Sequence, residues 1–185
     1  LLKEIEFGRD GDFSETRFKD VINADLANDL GNLLNRTLTM LKKYREYAIP
    51  AVEIPPSHPL RSLADPLPST VAAAYEHLRF SVAASKTLSL VQASNKYLDA
   101  EAPWTLYKQG NQAAVERILY AVLESVRIAA VMLSPLVPDL SLRILAQLGF
   151  AYQDVNDLTW QLTDWGHLPP DQTPQLPQPV FQRVL

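Results

Sequence analysis

Where the prolines fall constrains this chain more than any other feature. Of its fourteen prolines, six crowd into residues 48–68 and five into residues 169–179. Pro103, Pro135 and Pro138 stand alone between those zones. Each proline removes an N–H donor and restricts the residue before it, so neither crowded zone reads as helix interior. The stretches left between them are long, rich in Ala, Leu and Val, and patterned for helices. The expected fold is therefore all-α: an antiparallel bundle of four to five helices, with a long Pro-rich connection and an extended C-terminal tail.

The helical segments follow from periodicity and punctuation. Residues 7–12 are turn-rich, Ser14 is read as an N-cap, and Asn23 is a second candidate cap. After it, Leu26, Leu30, Leu33, Leu34, Leu38, Leu41 and Tyr44 recur at three- and four-residue steps and give one apolar face. This helix is expected to fade between Tyr47 and Pro50. Residues 48–68 read as a non-helical connection across the bundle, of a length that is uncommon and often functional. Ser69 or Thr70 is expected to cap one uninterrupted helix over residues 71–98, which contain no Gly or Pro. Pro103 opens a short turn through Lys108, and Gly110-Asn111 breaks it. Residues 112–133 form a third long, strongly apolar helix, stopped at Ser134-Pro135. A shorter helix over 138–148 ends at Gly149, a residue suited to a left-handed cap. The domain reading is a linker end over 1–12, a bundle over 13–150, and a tail over 151–185. That tail is expected to lie back on the bundle through Trp160, Trp165 and Phe181.

Composition narrows the function classes. Hydrophobic residues make up 47%, enough for one core. Cysteine is absent, which excludes disulfides and thiolate metal sites and fits a reducing compartment. His58, His77 and His167 are too scattered for a close metal cluster. The net charge of −4 argues against a non-specific polyanion binder, so any nucleic-acid site is local and selective. No apolar stretch reaches the roughly 20 residues of a membrane helix. The first residues, without an initiator Met, read as a cut inside a longer chain. There is no P-loop, dinucleotide fingerprint, metalloprotease helix or nucleophile elbow, so a catalytic site among these residues is not expected.

Three groups of residues invite a functional reading, each beside a plainer one. Asn32 and Arg36 lie four residues apart and share a helix face away from the leucine stripe, with Asn28 one turn earlier. An amide offers donor and acceptor, a guanidinium a planar fork of donors, and together they suit base edges. By composition alone the same face is simply solvated. Trp104, beside Pro103 at the start of a turn, could form a stacking platform; by composition alone it is a core tryptophan. Lys42, Lys43 and Arg45 complement the helix dipole, and also suit phosphate.

Two segments carry a family resemblance. Phe7-Gly8-Arg9-Asp10-Gly11-Asp12-Phe13-Ser14, followed by the Asn23 to Arg36 run, closely resembles methionyl-tRNA synthetases where the catalytic half passes into the anticodon bundle. Asn95-Lys96-Tyr97 with Ala102-Pro103-Trp104 resembles the family's second signature, which related class I synthetases share in part. The end, Pro177-Gln178-Pro179-Val180-Phe181-Gln182-Arg183-Val184, is similar to the closing segment of shorter bacterial forms. The resemblance implies that Asn32 and Arg36 hydrogen-bond the anticodon CAU, that Trp104 stacks on its first base, and that Pro103 shapes the same pocket. It implies a cytoplasmic ATP-dependent ligase whose partners are methionine tRNA and the catalytic domain of the same polypeptide. The ATP-binding motifs HIGH and KMSKS are absent here, as are zinc-binding cysteines. These residues are thus expected to bind tRNA without a cofactor of their own and without aminoacylating it. Two other readings stay open: an anticodon bundle of the cysteinyl or leucyl type, and a helical scaffold that binds a protein partner.

Overall fold

The computed structural model describes residues 2–4 and 14–181. The Phe7 to Phe13 part of the resemblance, and Gln182-Arg183-Val184, lie outside the described residues. Among the described residues there is no strand. The elements are α1 (Glu15–Ile22), a π-helical stretch (Asn23–Gly31), α2 (Asn32–Arg45), α3 (Pro59–Ala64), α4 (Leu67–Glu76), α5 (Phe80–Glu101), α6 (Pro103–Lys108), α7 (Gln112–Leu133) and α8 (Pro138–Gln147). Two 3-10 turns, Val155–Asp157 and Trp160–Thr163, follow. The all-α bundle anticipated from periodicity is present.

The first helix starts where expected, with the Ser14 hydroxyl accepting from the Arg17 N–H at 3.3 Å. Asn23, however, is no cap. It keeps right-handed helical dihedrals, and α1, the π stretch and α2 run on as one rod. The widened turn ends at Asn32, whose N–H reaches Ala27 O five residues back. Leu30, Leu33, Leu34, Leu38 and Leu41 are fully buried, which is the leucine face read from the sequence. Inside the π stretch, Asp25 is buried and ion-paired to Lys3.

The proline-rich connection holds more helix than its composition suggests. His58 caps α3, its Nδ1 accepting the Leu60 N–H, and Pro59 occupies the first turn, where its missing N–H costs nothing. Likewise α4 begins at Leu67, ahead of Ser69 and Thr70. Those hydroxyls do not cap; both donate back to Pro66 O at 3.1 Å. The single helix expected over 71–98 is two helices. The break is a Schellman turn: Arg79 N donates to Ala74 O at 2.8 Å and Leu78 N to Tyr75 O at 2.9 Å. Leu78 takes the left-handed position, φ 56°, and is 50% exposed. Packing fixes this turn, since α4 is anchored by Tyr75, whose hydroxyl donates to Met132 O at 2.7 Å and whose ring meets Trp160 edge-on. The same turn closes α8 at Gly149, φ 94°, as expected there.

Helix α7 is the axis of the bundle, buried almost all round from Val115 onward. It also carries Glu124 and Arg127, 0% and 1% exposed. Arg127 forks onto Glu124 at 2.8 and 2.7 Å and donates to Asp164 O and Leu162 O. The Glu124 carboxylate accepts the N–H groups of Gly166 and His167 at 2.6 and 3.0 Å. This closed network holds the segment that follows α8 against the axis. Trp160 Nε1 donates to Pro68 O, and Tyr120 OH to Leu168 O. Further on, Asp171 and Gln172 pair with Ile49, and Gln175 N donates to Gln147 O at 2.9 Å. The chain thereby returns to the start of α2, where Val180 is buried.

Candidate nucleic-acid interface

The rod meets the last turns of α5 through Arg36 of α2 and Asp29 of the π stretch. Asn28 and Asn32 are exposed, and Arg36 is partly exposed. The Arg36 guanidinium donates to Asp99 Oδ1 at 2.7 Å. One helical turn back, Asn95 Nδ2 donates to Asp29 O at 3.1 Å and to Val91 O at 3.2 Å, pinning α5 to the π stretch. Tyr97 is braced from the other side by His58 Nε2, 2.9 Å from its hydroxyl. Asn95 and Tyr97 thus act as struts that set where α5 ends. Burial raises the Tyr97 pKa to about 12.

Helix α5 stops because Ala102 turns left-handed, φ 44°. Pro103 then opens α6 and is buried, and Trp104 is 38% exposed. Two residues flanking Trp104 in the chain touch α2: Asp99 through Arg36, and Tyr107 by stacking on Tyr44 at 4.2 Å between ring centroids. Trp104 is not a core tryptophan. It projects from the short helix α6, which packs chiefly on α7 and meets α2 through the Tyr107–Tyr44 stack. Beyond it, Lys43 sits over Tyr44 and Lys42 over Tyr47, 5.6 and 5.5 Å from the ring centroids. Arg45 instead pairs with Glu116 at 3.1 Å, so that cluster is divided between aromatic and acidic partners.

Other parts of this surface were not legible in the sequence. Asp99 gave no sign of being Arg36's partner, because the two stand 63 residues apart. Tyr44 and Tyr107 read as ordinary amphipathic positions. A cavity of about 400 Å³ also opens against the rod, lined by Ala27, Asn28, Gly31, Asn32 and Asn35 and closed by residues 179–181 of the tail. Only the three asparagines, at helical spacing, hinted at it. Among the described residues, no group of three or more His, Asp or Glu is placed to hold a metal ion.

The comparisons with known proteins bear on what this surface is for. Residues 61–185 match the family described as the anticodon binding domain of methionyl tRNA ligase. The chain belongs to that family. A second match, over residues 1–38, is to the class I tRNA synthetases of the methionyl type. Asn28, Asn32 and Arg36 fall in the second match, and Pro103 and Trp104 in the first. The chain is 53% identical to the methionine–tRNA ligase of a Nostoc species and 50% identical to that of Thermosynechococcus vestitus; all of the chain and 36% of each relative are covered. It also superimposes on apo methionyl-tRNA synthetase of Mycobacterium tuberculosis, with a TM-score of 0.89 at 32% identity, covering all of this chain and 37% of that one. The chain thus spans about a third of the length of the relatives it matches. The family assignment sets aside the cysteinyl-type and leucyl-type bundles.

Proposed function

We propose that this domain reads the anticodon CAU of methionine tRNA, so that the whole ligase attaches methionine to the right tRNA with ATP. Trp104 stacks on the first anticodon base, while Asn32 and Arg36 hydrogen-bond base edges, with Pro103 and Asn28 shaping the surroundings. The supporting observation is that Trp104 is exposed in a stretch tied to α2 on both sides, by Asp99 to Arg36 and by Tyr107 to Tyr44. Single-stranded bases are recognised by being splayed out, stacked on an aromatic and read at their edges. The ATP and methionine sites belong to the rest of the polypeptide, outside these residues. Among the described residues no helix is long and apolar enough to cross a membrane, and the lack of cysteine fits action in a reducing cytoplasm.

The test uses the full-length ligase. Trp104→Ala removes stacking of roughly 1–3 kcal/mol, so kcat/KM for tRNA should fall about ten- to a hundredfold. Methionine activation, measured by pyrophosphate exchange, should stay unchanged. Equal tRNA kinetics in the two proteins would sink the proposal. Arg36→Ala should narrow the preference for CAU over single-base variants by roughly 1–3 kcal/mol.

A further inference from the structure

The amide-lined cavity calls for its own occupant. Its floor is the rod, at the passage from π to α geometry, with Asn28, Asn32 and Asn35 at helical spacing along it. Its far wall is the tail at Pro179, Val180 and Phe181. That wall is firmly seated: Val180 is buried, Gln147 Nε2 donates to Gln178 O at 2.5 Å, and Gln147 O accepts from Gln175. Gly31 lies directly beneath the tail, since a Cβ there would stand 3.6 Å from Val180 Cγ2, at ordinary contact distance. The volume, about 400 Å³, falls in the range of small-ligand sites, roughly 300–1,000 Å³.

The lining says what fits. Among the described residues it contains three side-chain amides and one aromatic ring, with no lysine, arginine or carboxylate. A phosphate would find no cation among these described residues. A flat, neutral group with donors and acceptors on its edge would find both complements, since each amide offers both, and Phe181 supplies an apolar face. An unstacked nucleobase has that chemistry.

We propose that this cavity is a second base seat, distinct from Trp104, that takes one further splayed nucleotide of the same RNA loop. Asn35 reads its edge alongside Asn28 and Asn32, and the returning tail, through Phe181, walls it in. This rests on the reading of the domain as an anticodon reader. It gives the tail a part in recognition that packing alone would not require.

The experiment measures binding of the full-length ligase to a short RNA hairpin carrying CAU in its loop, and to the same hairpin made abasic at one loop position at a time. The proteins are wild type, Asn35→Ala, Phe181→Ala and Trp104→Ala. Asn35 is exposed within α2 and Ala is the better helix former, so Asn35→Ala folds even where Phe181→Ala loosens the tail. Asn35→Ala should weaken binding roughly tenfold. That loss should vanish on one abasic hairpin only, at a position different from the one that cancels the Trp104→Ala loss. Coupling of both variants to the same position overturns the second seat. So does unchanged affinity in Asn35→Ala while Trp104→Ala loses affinity, an outcome that leaves the anticodon reading standing. Unchanged affinity in Trp104→Ala as well brings down that reading and this one together.

Discussion

His58 shows how one residue ties the proline-rich connection to the C-terminal half of α5. Its Nδ1 accepts the Leu60 N–H, so in the neutral ring the proton sits on Nε2, facing the Tyr97 hydroxyl. Burial lowers its pKa below 6.5, partly offset by Glu101. The stabilisation is therefore complete above about 6.5, the unfolded value, and is lost as pH falls through the lower folded value. Denaturant titrations between about pH 5 and 7.5 should show stability declining on the acid side, and His58→Asn, which keeps an uncharged cap, should flatten that part of the curve. Leu78 is the opposite kind of residue, an exposed side chain held at positive φ. The left-handed region costs an L-residue roughly 1–2 kcal/mol, while glycine carries an entropic penalty of roughly 0.5–1 kcal/mol. Leu78→Gly should thus stabilise the fold by about 0.5–1 kcal/mol in thermal or chemical unfolding; a destabilised variant would mean that the Leu78 side chain packs.

Among the elements, the tail depends on one buried pair. Glu124 and Arg127 sit on the bundle's axis with every charged oxygen and nitrogen that faces the tail engaged. Removing one member leaves the other buried and unpaired, a loss of roughly 3–5 kcal/mol, whereas replacing both with apolar residues is far milder. Glu124→Ala should lower stability by about that amount and expose residues 160–181 to protease. A Glu124→Leu, Arg127→Met double variant should recover much of the loss in the same unfolding assay. If the single and double variants were equally damaged, the tail would be held by other contacts. The junction of α5 and α6 is set with comparable economy: Ala102 reverses the chain, Pro103 restarts it, and Trp104 is left exposed.

Taken whole, the molecule is an acidic bundle, net −4, and the proposed function asks it to hold a polyanion. The proposed interface offers few uncommitted cations, because Arg36 is paired with Asp99 and Arg45 with Glu116. On the proposed reading, recognition leans on stacking and edge contacts more than on phosphate neutralisation. With about two phosphate contacts, log K for single-stranded RNA should fall against log salt with a slope of about −1.4. Anisotropy titrations across a range of salt concentrations would measure it. A slope beyond about −5 would point to an extended phosphate track and against an interface that works by stacking.

The sequence by itself determined the all-α class, the leucine face of α2, the buried axis α7 and its ends, and the Gly149 turn. These follow from local propensity and periodicity, which near neighbours in the chain suffice to express. It also singled out Asn28, Asn32, Arg36, Pro103 and Trp104, through residue chemistry sharpened by family likeness. Only the tertiary structure decided the break at Leu78, where the anchoring of Tyr75 on α7 and Trp160 overrides an uninterrupted helical pattern. It alone turned Asn23 from a cap into helix interior and put a helix among the prolines at 59–64. It alone set Asp99 against Arg36, Tyr107 on Tyr44, and the tail beside Asn35. Those pairings join residues dozens of positions apart, and no local rule carries information about which distant surface a side chain will meet.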